Sequence, residues 1–222
     1  QNRGILPAHE IEALHGAGAI RIAAPFATGQ IQPASLDLRL GGRAWRMRAS
    51  FLPGPERPVS ARIEALALHE IDLTQGAVLE TGCVYIAELM ESLALPAEIA
   101  ASANPKSSTG RIDVFTRVIA DRAHEFDQIE AGYDGKLYAE ISPRTFPVLV
   151  RSGSRLSQVR FRRGQARLDD QGHLDLHKRE KLVTSAEPSI SGGVAVSVDL
   201  AGFDGSTLIG YRAKRHTGLI DV

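Results

Sequence analysis

A polar segment in the middle of the chain carries residue types that suit the binding of phosphate groups. It reads Asn104-Pro105-Lys106-Ser107-Ser108-Thr109-Gly110-Arg111. Backbone N–H groups, hydroxyls and two cations within one short stretch can bind a polyphosphate. The Gly-x4-Gly-Lys-Ser/Thr order of a Walker loop is missing, so this would be a different kind of phosphate loop. The same residues also fit a polar turn in which Ser107 or Ser108 caps a helix.

A carboxylate in an apolar setting is the second candidate for chemistry. Glu140 lies within Leu137-Tyr138-Ala139-Glu140-Ile141. A carboxyl group in a shielded pocket can take a proton from water and deliver it to a substrate, because burial moves its pKa towards neutrality. The pattern also fits a glutamate on the outer face of an alternating strand. Residue types alone leave both interpretations open.

The elements that must position these residues are predicted to be mostly short strands. Residues 7–15 have helical spacing and are predicted as one short helix. Ser35-Leu36-Asp37-Leu38-Arg39-Leu40 alternates with period two and predicts a half-buried strand, which Gly41-Gly42 would end. Further strands are predicted at residues 77–79, 84–89, 115–119, 137–141, 147–150, 158–161, 174–176 and 194–200.

Many short strands separated by turn residues indicate a mainly β barrel or sandwich, not a βαβ fold. Residues 51–60, with three prolines, predict an exposed loop, and residues 169–172 predict a hairpin turn. Residues 218–222 read as a strand. We expect residues 1–165 to form one β domain and residues 166–222 to form an extension, a linker or the start of a second domain in a longer chain.

Composition excludes several classes of protein. Lys plus Arg and Asp plus Glu both number 26, so no overall field draws the chain to nucleic acid or to an anionic membrane. No apolar run approaches the roughly 20 residues of a membrane span. Cys83 is the one cysteine, which excludes an internal disulfide framework and suggests a cytoplasmic address.

Four motifs together resemble the dCTP deaminase family, within the dCTP deaminase and dUTPase superfamily. They agree in order and approximate spacing, and the first helix and residues 93–96 agree as well. The motifs are residues 32–41, residues 105–111, Gly132-Tyr133-Asp134-Gly135-Lys136-Leu137-Tyr138-Ala139-Glu140, and Arg155-Leu156-Ser157-Gln158-Val159-Arg160-Phe161. The resemblance implies a distorted all-β barrel of dUTPase type with jelly-roll character and a few short helices.

The resemblance also implies an activity and an assembly. Family members hydrolyse dCTP to dUTP and ammonia, with magnesium bound through the nucleotide triphosphate. They are usually homotrimers whose active sites lie between subunits. A pseudo-trimeric assembly of repeated domains is the alternative for a longer chain. The implied partners are dCTP, with dUTP or dTTP as further candidates, and neither nucleic acid nor a membrane.

Residue roles follow from the resemblance, position by position. Glu140 matches the general acid/base, and Ser107 matches a hydroxyl that holds the attacking water and the base. Lys106 and Ser108 match triphosphate contacts. Arg111 matches an arginine between the reacting centre and the phosphates.

Further nucleotide contacts follow in the same way. Ala120, whose backbone would read the cytosine, and Arg122 match nucleotide contacts, as do Tyr133 and Gln158. Asp37 is expected to be structural and to pair within the core or an interface.

The chain departs from the family pattern at several positions. Arg117 stands where the family commonly has a histidine. Glu130-Ala131-Gly132-Tyr133 replaces Asp-Pro-Gly-Trp, after an extra stretch at residues 124–127. No Lys-, Tyr- and Gln-rich closing tail is recognisable, although Tyr211, Lys214 and His216 could supply a lid or form a solvated basic turn. Pocket chemistry is therefore expected to differ in detail.

A zinc mechanism is not expected. His173 and His177 are four residues apart, but they flank a predicted strand and lack further ligands at the right spacing. The zinc deaminase signature, His-x-Glu followed by Pro-Cys-x-x-Cys, is absent from the sequence. Water activation is therefore assigned to a side-chain base.

Two alternative functions stay open. The first is dUTP diphosphatase activity, alone or joined to deamination, because the same scaffold serves both reactions. In diphosphatases an aspartate before the ribose-stacking tyrosine activates water, and Glu130 takes that place before Tyr133 here. The second is a non-catalytic nucleotide-binding or assembly module that keeps the motifs to build the barrel.

Overall fold

Antiparallel strands build the first of two compact units in the computed structural model. The structure describes residues 3–185, 187–202, 205–212, 214 and 218–222. The first unit comprises Gln1–Gly164 and Ala213–Val222, and the second comprises Gln165–Arg212. Among the described residues, the strands and the four short helices confirm the prediction of a mainly β fold with a few short helices.

The elements follow one another with short connections. In chain order they are β1 (Gly4–Ile5), α1 (Ala8–Gly16), β2 (Ile20–Ile22), β3 (Ile31–Gln32), β4 (Ser35–Leu38), β5 (Leu40–Met47), α2 (Val59–Leu66), β6 (Ala67–Asp72), β7 (Ala77–Leu79), β8 (Val84–Ala94), β9 (Ile99–Pro105), α3 (Ser107–Arg111), β10 (Val114–Ala120), β11 (Gln128–Ile129), β12 (Asp134–Pro143), β13 (Val148–Val150), β14 (Ser157–Arg163), α4 (Asp170–Glu180) and β15 (Ile220–Asp221).

Two six-stranded sheets enclose the core of the first unit. One has the order β11-β9-β14-β4-β3 with β1 on β14, and the other has the order β10-β12-β8-β5-β6 with β2 on β8. One core cluster joins both sheets, since it contains Leu36 and Phe161 of the first and Val118 and Leu137 of the second. A third, three-stranded sheet has the order β15-β13-β7. Strands β10, β12, β9 and β14, which carry or adjoin the nominated residues, are thereby fixed by the core.

The structure confirms most of the predicted elements of the first unit. Helix α1 buries Ile11 and Leu14, as their spacing requires. Strands lie at or close to the predicted positions 77–79, 84–89, 115–119, 137–141, 147–150 and 158–161. The predicted strand at 218–222 is confirmed as β15, which pairs in parallel with β13.

The predicted stop at Gly41-Gly42 is wrong, because β5 runs through both glycines. A Cβ on Gly41 would lie 3.1 Å from the backbone oxygen of Glu88, so a glycine lets β5 approach β8 closely. Strand β4 is also buried on both faces and not half-buried. Its polar residues tolerate burial because they are paired, as shown for Asp37 below.

A helix follows the proline-rich segment that predicted an exposed loop. Helix α2 spans Val59–Leu66 and buries Val59 and Ile63. Phe51 is also buried, so the loop packs against the second sheet. The N–H of Val59 donates to Asp121 Oδ1 at 2.7 Å, which gives the helix a cap from a distant residue. Local sequence did not reveal that cap.

The second unit differs from its predicted structure. The predicted turn at 169–172 and strand at 174–176 are wrong, because α4 occupies Asp170–Glu180. Asp169 begins this helix by accepting a hydrogen bond from the N–H of Gly172 at 2.7 Å. The predicted strand at 194–200 is also wrong, since Val194 makes an isolated bridge with Ile190 and residues 195–200 form no strand.

The remaining expectations concern the tail and membranes. Tyr211 is 93% exposed, and His216 lies outside the described residues. Within the described ranges, no helix is long and apolar enough to cross a membrane.

Candidate functional site

Glu140 lies inside the second sheet. On β12 it pairs with Arg117 of β10 on one side and with Ile86 of β8 on the other. Only 2% of the residue is exposed, so the interpretation as an outer-face glutamate is wrong. Strand alternation places Tyr138 on the same face, and Tyr138 packs in the cluster that includes Val59 and Ile63. The face that carries Glu140 is therefore one that α2 covers.

Of the two carboxylate oxygens of Glu140, one accepts hydrogen bonds and the other has no hydrogen-bond partner. Oε1 accepts hydrogen bonds from Arg117 Nη2 at 2.6 Å and from Arg117 Nε at 3.2 Å. Oε2 is buried and has no hydrogen-bond partner. Buried polar atoms nearly always have a partner, so an unpartnered carboxylate oxygen calls for a functional explanation. Arg117 fixes the carboxylate through one oxygen and leaves the other free.

Aromatic rings hold the Arg117 guanidinium in place. Its Cζ lies 3.5 Å from the ring centroid of Phe126 and 4.9 Å from that of Phe115. Its Nη2 also donates to Ser50 Oγ at 2.9 Å. Phe126 belongs to the extra stretch at residues 124–127, so this departure from the family pattern contributes to the surroundings of Glu140. Arg117 departs from the family pattern in the sequence, but no sequence signal predicts its contact with Glu140.

Asp127 of the same stretch holds the edge of β10. Its Oδ1 accepts a hydrogen bond from the N–H of Val118 at 2.7 Å, and its own N–H donates to the carbonyl of Val118 at 2.8 Å. Burial raises the pKa of the Asp127 carboxyl, and the hydrogen bond from Val118 and the charge of Arg117 oppose this rise. The extra stretch is thus anchored beside Arg117.

A pocket of about 650 Å³ lies next to the end of β10. Ala120, Arg122 and Tyr133, all nominated as nucleotide contacts, line it. Arg122 has a φ of 59°, a left-handed conformation that non-glycine residues rarely adopt. Glu130 lines the same pocket, whereas Glu140 does not. The structure therefore brings these three candidate nucleotide contacts together around one cavity.

Tyr133 is fixed at the wall of this pocket. Its hydroxyl donates to the carbonyl of Lys136 at 2.5 Å and accepts from the N–H of Asp121 at 3.0 Å. A Cβ on Gly135 would lie 2.6 Å from that hydroxyl, so a larger residue there would displace the Tyr133 ring. Burial raises the pKa of Tyr133, and burial likewise raises the pKa of Tyr138 to about 12. Both rings stay neutral at physiological pH.

The segment nominated for phosphate binding forms the end of β9 and the short helix α3. Lys106 stands at the N-cap position without a side-chain capping bond, so neither Ser107 nor Ser108 is the cap. Both serines are exposed. Thr109 anchors the helix, because its buried Oγ1 donates to the carbonyl of Leu156 at 2.8 Å. The two serine hydroxyls are therefore available at the surface.

Asp37 lies beneath this segment and is 1% exposed. Its Oδ2 forms an ion pair with Lys106 and lies 3.5 Å from Arg155 Nη1. Its Oδ1 is buried without a partner. The expectation that Asp37 pairs within the core is confirmed, and the pair draws Lys106 towards the fold.

A cleft of about 330 Å³ brings four of the nominated residues together. Lys106, Ser107, Ser108 and Gln158 line it with Asp37. Gln158 Oε1 accepts from Ser35 Oγ at 3.0 Å, which orients the amide at the cleft wall.

Two separate cavities therefore divide the nominated residues. No residue lines both the 650 Å³ pocket and the 330 Å³ cleft, and Arg111 is exposed and lines neither. Glu140 is enclosed beside Arg117 and lines neither as well. A single copy of the first unit thus presents the nominated residues at separate places.

Metal ligands do not gather in the described part of the chain, where no group of three or more His, Cys, Asp or Glu side chains could hold an ion. His173 and His177 lie one turn apart on α4 and not beside a strand. His177 Nδ1 accepts from the N–H of Leu182 at 3.1 Å, and His173 Nδ1 lies 2.9 Å from the carbonyl of Asp169. Both rings have local partners.

Comparison with family models covers almost the whole chain. Residues 2–165 match the 2'-deoxycytidine 5'-triphosphate deaminase (DCD) N-terminal domain, and residues 169–222 match the C-terminal domain of the same description. The chain therefore belongs to the dCTP deaminase family.

The chain is also similar in sequence to proteins that are named dCTP deaminase. The chain is 29% identical over 158 residues to a "dCTP deaminase, dUMP-forming" from Beutenbergia cavernae, covering 71% of this chain and 78% of that protein. It is 28% identical over 162 residues to a dCTP deaminase from Shewanella amazonensis, covering 69% and 80%.

A solved structure is more similar. The crystal structure of 2'-deoxycytidine 5'-triphosphate deaminase from Agrobacterium tumefaciens is 58% identical, with a TM-score of 0.93. The match covers 100% of this chain and 64% of that chain, so this chain spans slightly under two thirds of the longer protein.

Proposed function

We propose that the protein deaminates dCTP hydrolytically to dUTP and ammonia, with Glu140 as general acid and base and without zinc. The observation that carries this proposal is the unpartnered, buried Oε2 of Glu140, held in place by Arg117 in a chain of the dCTP deaminase family. The relatives named dCTP deaminase support the choice of substrate. The reaction belongs to pyrimidine deoxynucleotide metabolism and to a cytoplasmic enzyme.

In this mechanism Glu140 takes a proton from water, and the resulting hydroxide adds to C4 of cytosine. The carboxyl group then gives that proton to the ring nitrogen N3, takes the proton of the new C4 hydroxyl and passes it to the amine, so that ammonia leaves as the C4 carbonyl of uracil forms. Ser107 holds the water and the base, and Arg111 stabilises charge near the ring. One water is consumed and one ammonia is released, so atoms and charges balance.

Binding is assigned to residues that do not take part in proton transfer. Lys106, Ser108 and Gln158 contact the triphosphate, whereas Ala120, Arg122 and Tyr133 contact the nucleoside. Magnesium comes with the triphosphate and neutralises its oxygens, a role that needs no dedicated protein cage. The exposed hydroxyls and the lysine of the 330 Å³ cleft suit such a ligand.

The complete site is proposed to lie between copies of the fold. The separation of the pocket from the cleft supports this, because one copy does not present Glu140, Ser107 and Arg122 around a common cavity. A homotrimer, or a pseudo-trimeric arrangement of repeated domains, would join the two halves. dUTP or dTTP could occupy the same site, and no nucleic-acid or membrane role is proposed.

A second candidate is a bifunctional enzyme that also hydrolyses dUTP to dUMP. Two observations favour keeping it: a relative at 29% identity is named dUMP-forming, and Glu130 lines the 650 Å³ pocket together with Tyr133. Separation of the products decides, since a deaminase stops at dUTP and a bifunctional enzyme releases dUMP and pyrophosphate. A nucleotide-binding module without activity would release neither ammonia nor pyrophosphate.

The test is Glu140→Gln, assayed by ammonia release from dCTP. The amide keeps the shape but cannot shuttle protons, so we expect the rate to fall by roughly 10²–10⁴ while dCTP affinity stays within about tenfold. Glu91→Gln is the matched control, because Glu91 is also a buried carboxylate paired with an arginine, Arg39, at 2.8 Å. It should lose stability but not activity. Wild-type-like turnover by the Glu140 variant would remove Glu140 from the mechanism.

A further inference from the structure

The second unit repeats the beginning of the first at an offset of 162 residues. Ser35-Leu36-Asp37-Leu38 corresponds to Ser197-Val198-Asp199-Leu200 at that offset. Helix α1 begins at Ala8 and α4 at Asp170, so each helix begins 27 residues before its Ser-x-Asp-Leu segment. Leu6, Leu14 and His15 likewise have Leu168, Leu176 and His177 as counterparts.

Counterparts in the two units differ sharply in burial. Leu36 and Leu38 are both 0% exposed, whereas Val198 is 78% exposed and Leu200 is 77% exposed. Within the described part of 165–212 no residue is buried, and α4 has no buried face. Large apolar side chains left open in this way mark a surface that another element covers.

In the first unit, the corresponding apolar residues are buried by later strands of the same sheet. Leu36 and Leu38 belong to a core cluster with Ile99 of β9 and Phe161 of β14, and β14 pairs directly with β4. At the 162-residue offset, the counterparts of residues 99–161 would be residues 261–323. The 222 residues of this chain do not include them.

The longer relative has room for such a stretch. Because these 222 residues make up 64% of the Agrobacterium chain, about 125 of its residues lie outside the match. Residue 60 is the counterpart of residue 222, and the first unit continues from there to Gly164, which is 104 residues. The two lengths are compatible.

We propose that residues 165–212 belong to the first part of a second copy of the β fold of the first unit. In this second copy, Val198 and Leu200 are interior residues, and a downstream stretch of the same polypeptide covers them, with counterparts of β9 and β14. Asp199 then takes the position of Asp37. The full polypeptide then contains two such folds. This arrangement does not depend on whether dCTP is the substrate.

The test compares two neighbouring valines in the full-length polypeptide that includes the downstream stretch. Val198→Asp should lower the urea midpoint of unfolding, because its counterpart Leu36 is fully buried. Val196→Asp is the matched control, since Val196 is 77% exposed and its counterpart Ala34 is exposed. It should leave the midpoint unchanged. If Val198→Asp fails to fold, Val198→Ala against Val196→Ala gives the same comparison with a smaller shift.

Hydrogen exchange provides the second readout. Amides 197–200 should exchange about tenfold or more slowly in the full-length polypeptide than in residues 1–222 alone. Equal effects of both valine substitutions would overturn the proposal. So would an intact mass of 23.9 kDa for the native protein, which is the mass of these 222 residues. Protection within residues 1–222 alone would also overturn it, and a rise of that protection with concentration would identify a second copy of the chain as the cover.

Discussion

Two buried acids in the first unit share an unusual arrangement at the residue scale. Glu140 and Asp37 each have one carboxylate oxygen held by a cation and a second oxygen with no partner. Leaving a buried polar atom unpaired costs roughly 1–3 kcal/mol, so folding stability alone does not explain such atoms. Asp37 lines the 330 Å³ cleft, and Glu140 carries the proposed chemistry. That cleft could admit a ligand or a water to Asp37, whereas Glu140 lines neither cavity of a single copy.

Arg117 should act on turnover through Glu140. The Arg117 guanidinium donates two hydrogen bonds to Glu140 Oε1. A methionine cannot make these bonds, and a lysine can replace them only in part. On the proposed function, Arg117→Met should lower kcat by about tenfold or more, and Arg117→Lys should lower it less. Loss of one partner should also cost about 1–3 kcal/mol of stability. Steady-state kinetics and urea unfolding separate the two effects.

Arg46→Met is the control for this change. Arg46 also lies over an aromatic ring, that of Tyr85 at 5.8 Å, but it contacts neither cavity nor Glu140. Its loss should leave kcat unchanged. An Arg117→Met enzyme with wild-type kcat would show that the pair serves stability alone.

Asp127 should make stability depend on pH. Burial raises the pKa of its carboxyl, so the folded state keeps the proton at a pH where the unfolded chain has lost it. This contribution to stability is fully present below the unfolded pKa of about 3.9 and is lost as pH rises through the higher folded pKa. Asp127→Asn keeps an acceptor oxygen for Val118 and removes the titration.

The stability of the Asp127→Asn variant relative to wild type should therefore be greater at pH 7 than at pH 4. Urea unfolding at both values measures the difference. Asp175→Asn, on an exposed carboxylate of α4, is the control and should show little change. An Asp127 variant whose difference from wild type is the same at both pH values would contradict the assignment.

At the scale of elements, α2 depends on a cap from another part of the chain. Asp121→Ala removes the acceptor for the N–H of Val59 and should cost about 1 kcal/mol. Because α2 packs against Tyr138 and Trp45, the loss should be local, and amides 60–66 should exchange faster with solvent. Asp121→Asn keeps the acceptor and should behave like wild type. Unchanged exchange in the alanine variant would show that packing alone holds α2.

Sequence patterns predicted elements well where a local signal and the tertiary environment agree. Alternation or apolar runs bounded by turn residues identified the strands around Glu140 and Gln158. Helix α2 was missed because its cap, Asp121, lies 62 residues away and its start is rich in proline. Helix α4 was taken for a strand because Leu174 and Leu176 alternate with polar residues, although Asp169 caps a helix there.

The site was only partly accessible from sequence for a similar reason. Residue types and motif order nominated Lys106, Ser107 and Glu140, and the structure places these residues at a cleft and beside Arg117. The Arg117–Glu140 pair depends on the register of β10 against β12, which no local pattern encodes. The stacking of Phe126 on Arg117 depends on the path of an extra stretch and was equally out of reach.

The whole molecule has no net charge, so attraction of a triphosphate depends on local groups. Lys106 lines the 330 Å³ cleft, where Asp37 also lies 3.5 Å from Arg155 Nη1, and Arg122 lines the 650 Å³ pocket. The cations are thus divided between the same two cavities as the other nominated residues. Such a division suits a ligand that spans two copies of the fold, with its phosphates on one and its base on the other.

Mixing two impaired chains tests that arrangement directly. If each site takes Glu140 from one copy and Ser107 from another, a Glu140→Gln chain and a Ser107→Ala chain lack different halves of the same site. Mixed oligomers then contain some sites with both halves intact. For random assembly from equal amounts, about a quarter of the sites should be complete. Ammonia release from dCTP should rise towards that fraction after the two proteins are unfolded together and refolded, with mixed oligomers verified by native mass spectrometry.

The control is a mixture of Glu140→Gln with Glu140→Ala, which has no intact Glu140 and should stay inactive at any ratio. Recovery in the first mixture and not in the second can arise only if residues from two chains meet, because each chain alone keeps its defect. Mixed oligomers without recovered activity would mean that one polypeptide supplies both halves. That result would contradict a site between chains, and it would favour a site completed by two folds of the same polypeptide.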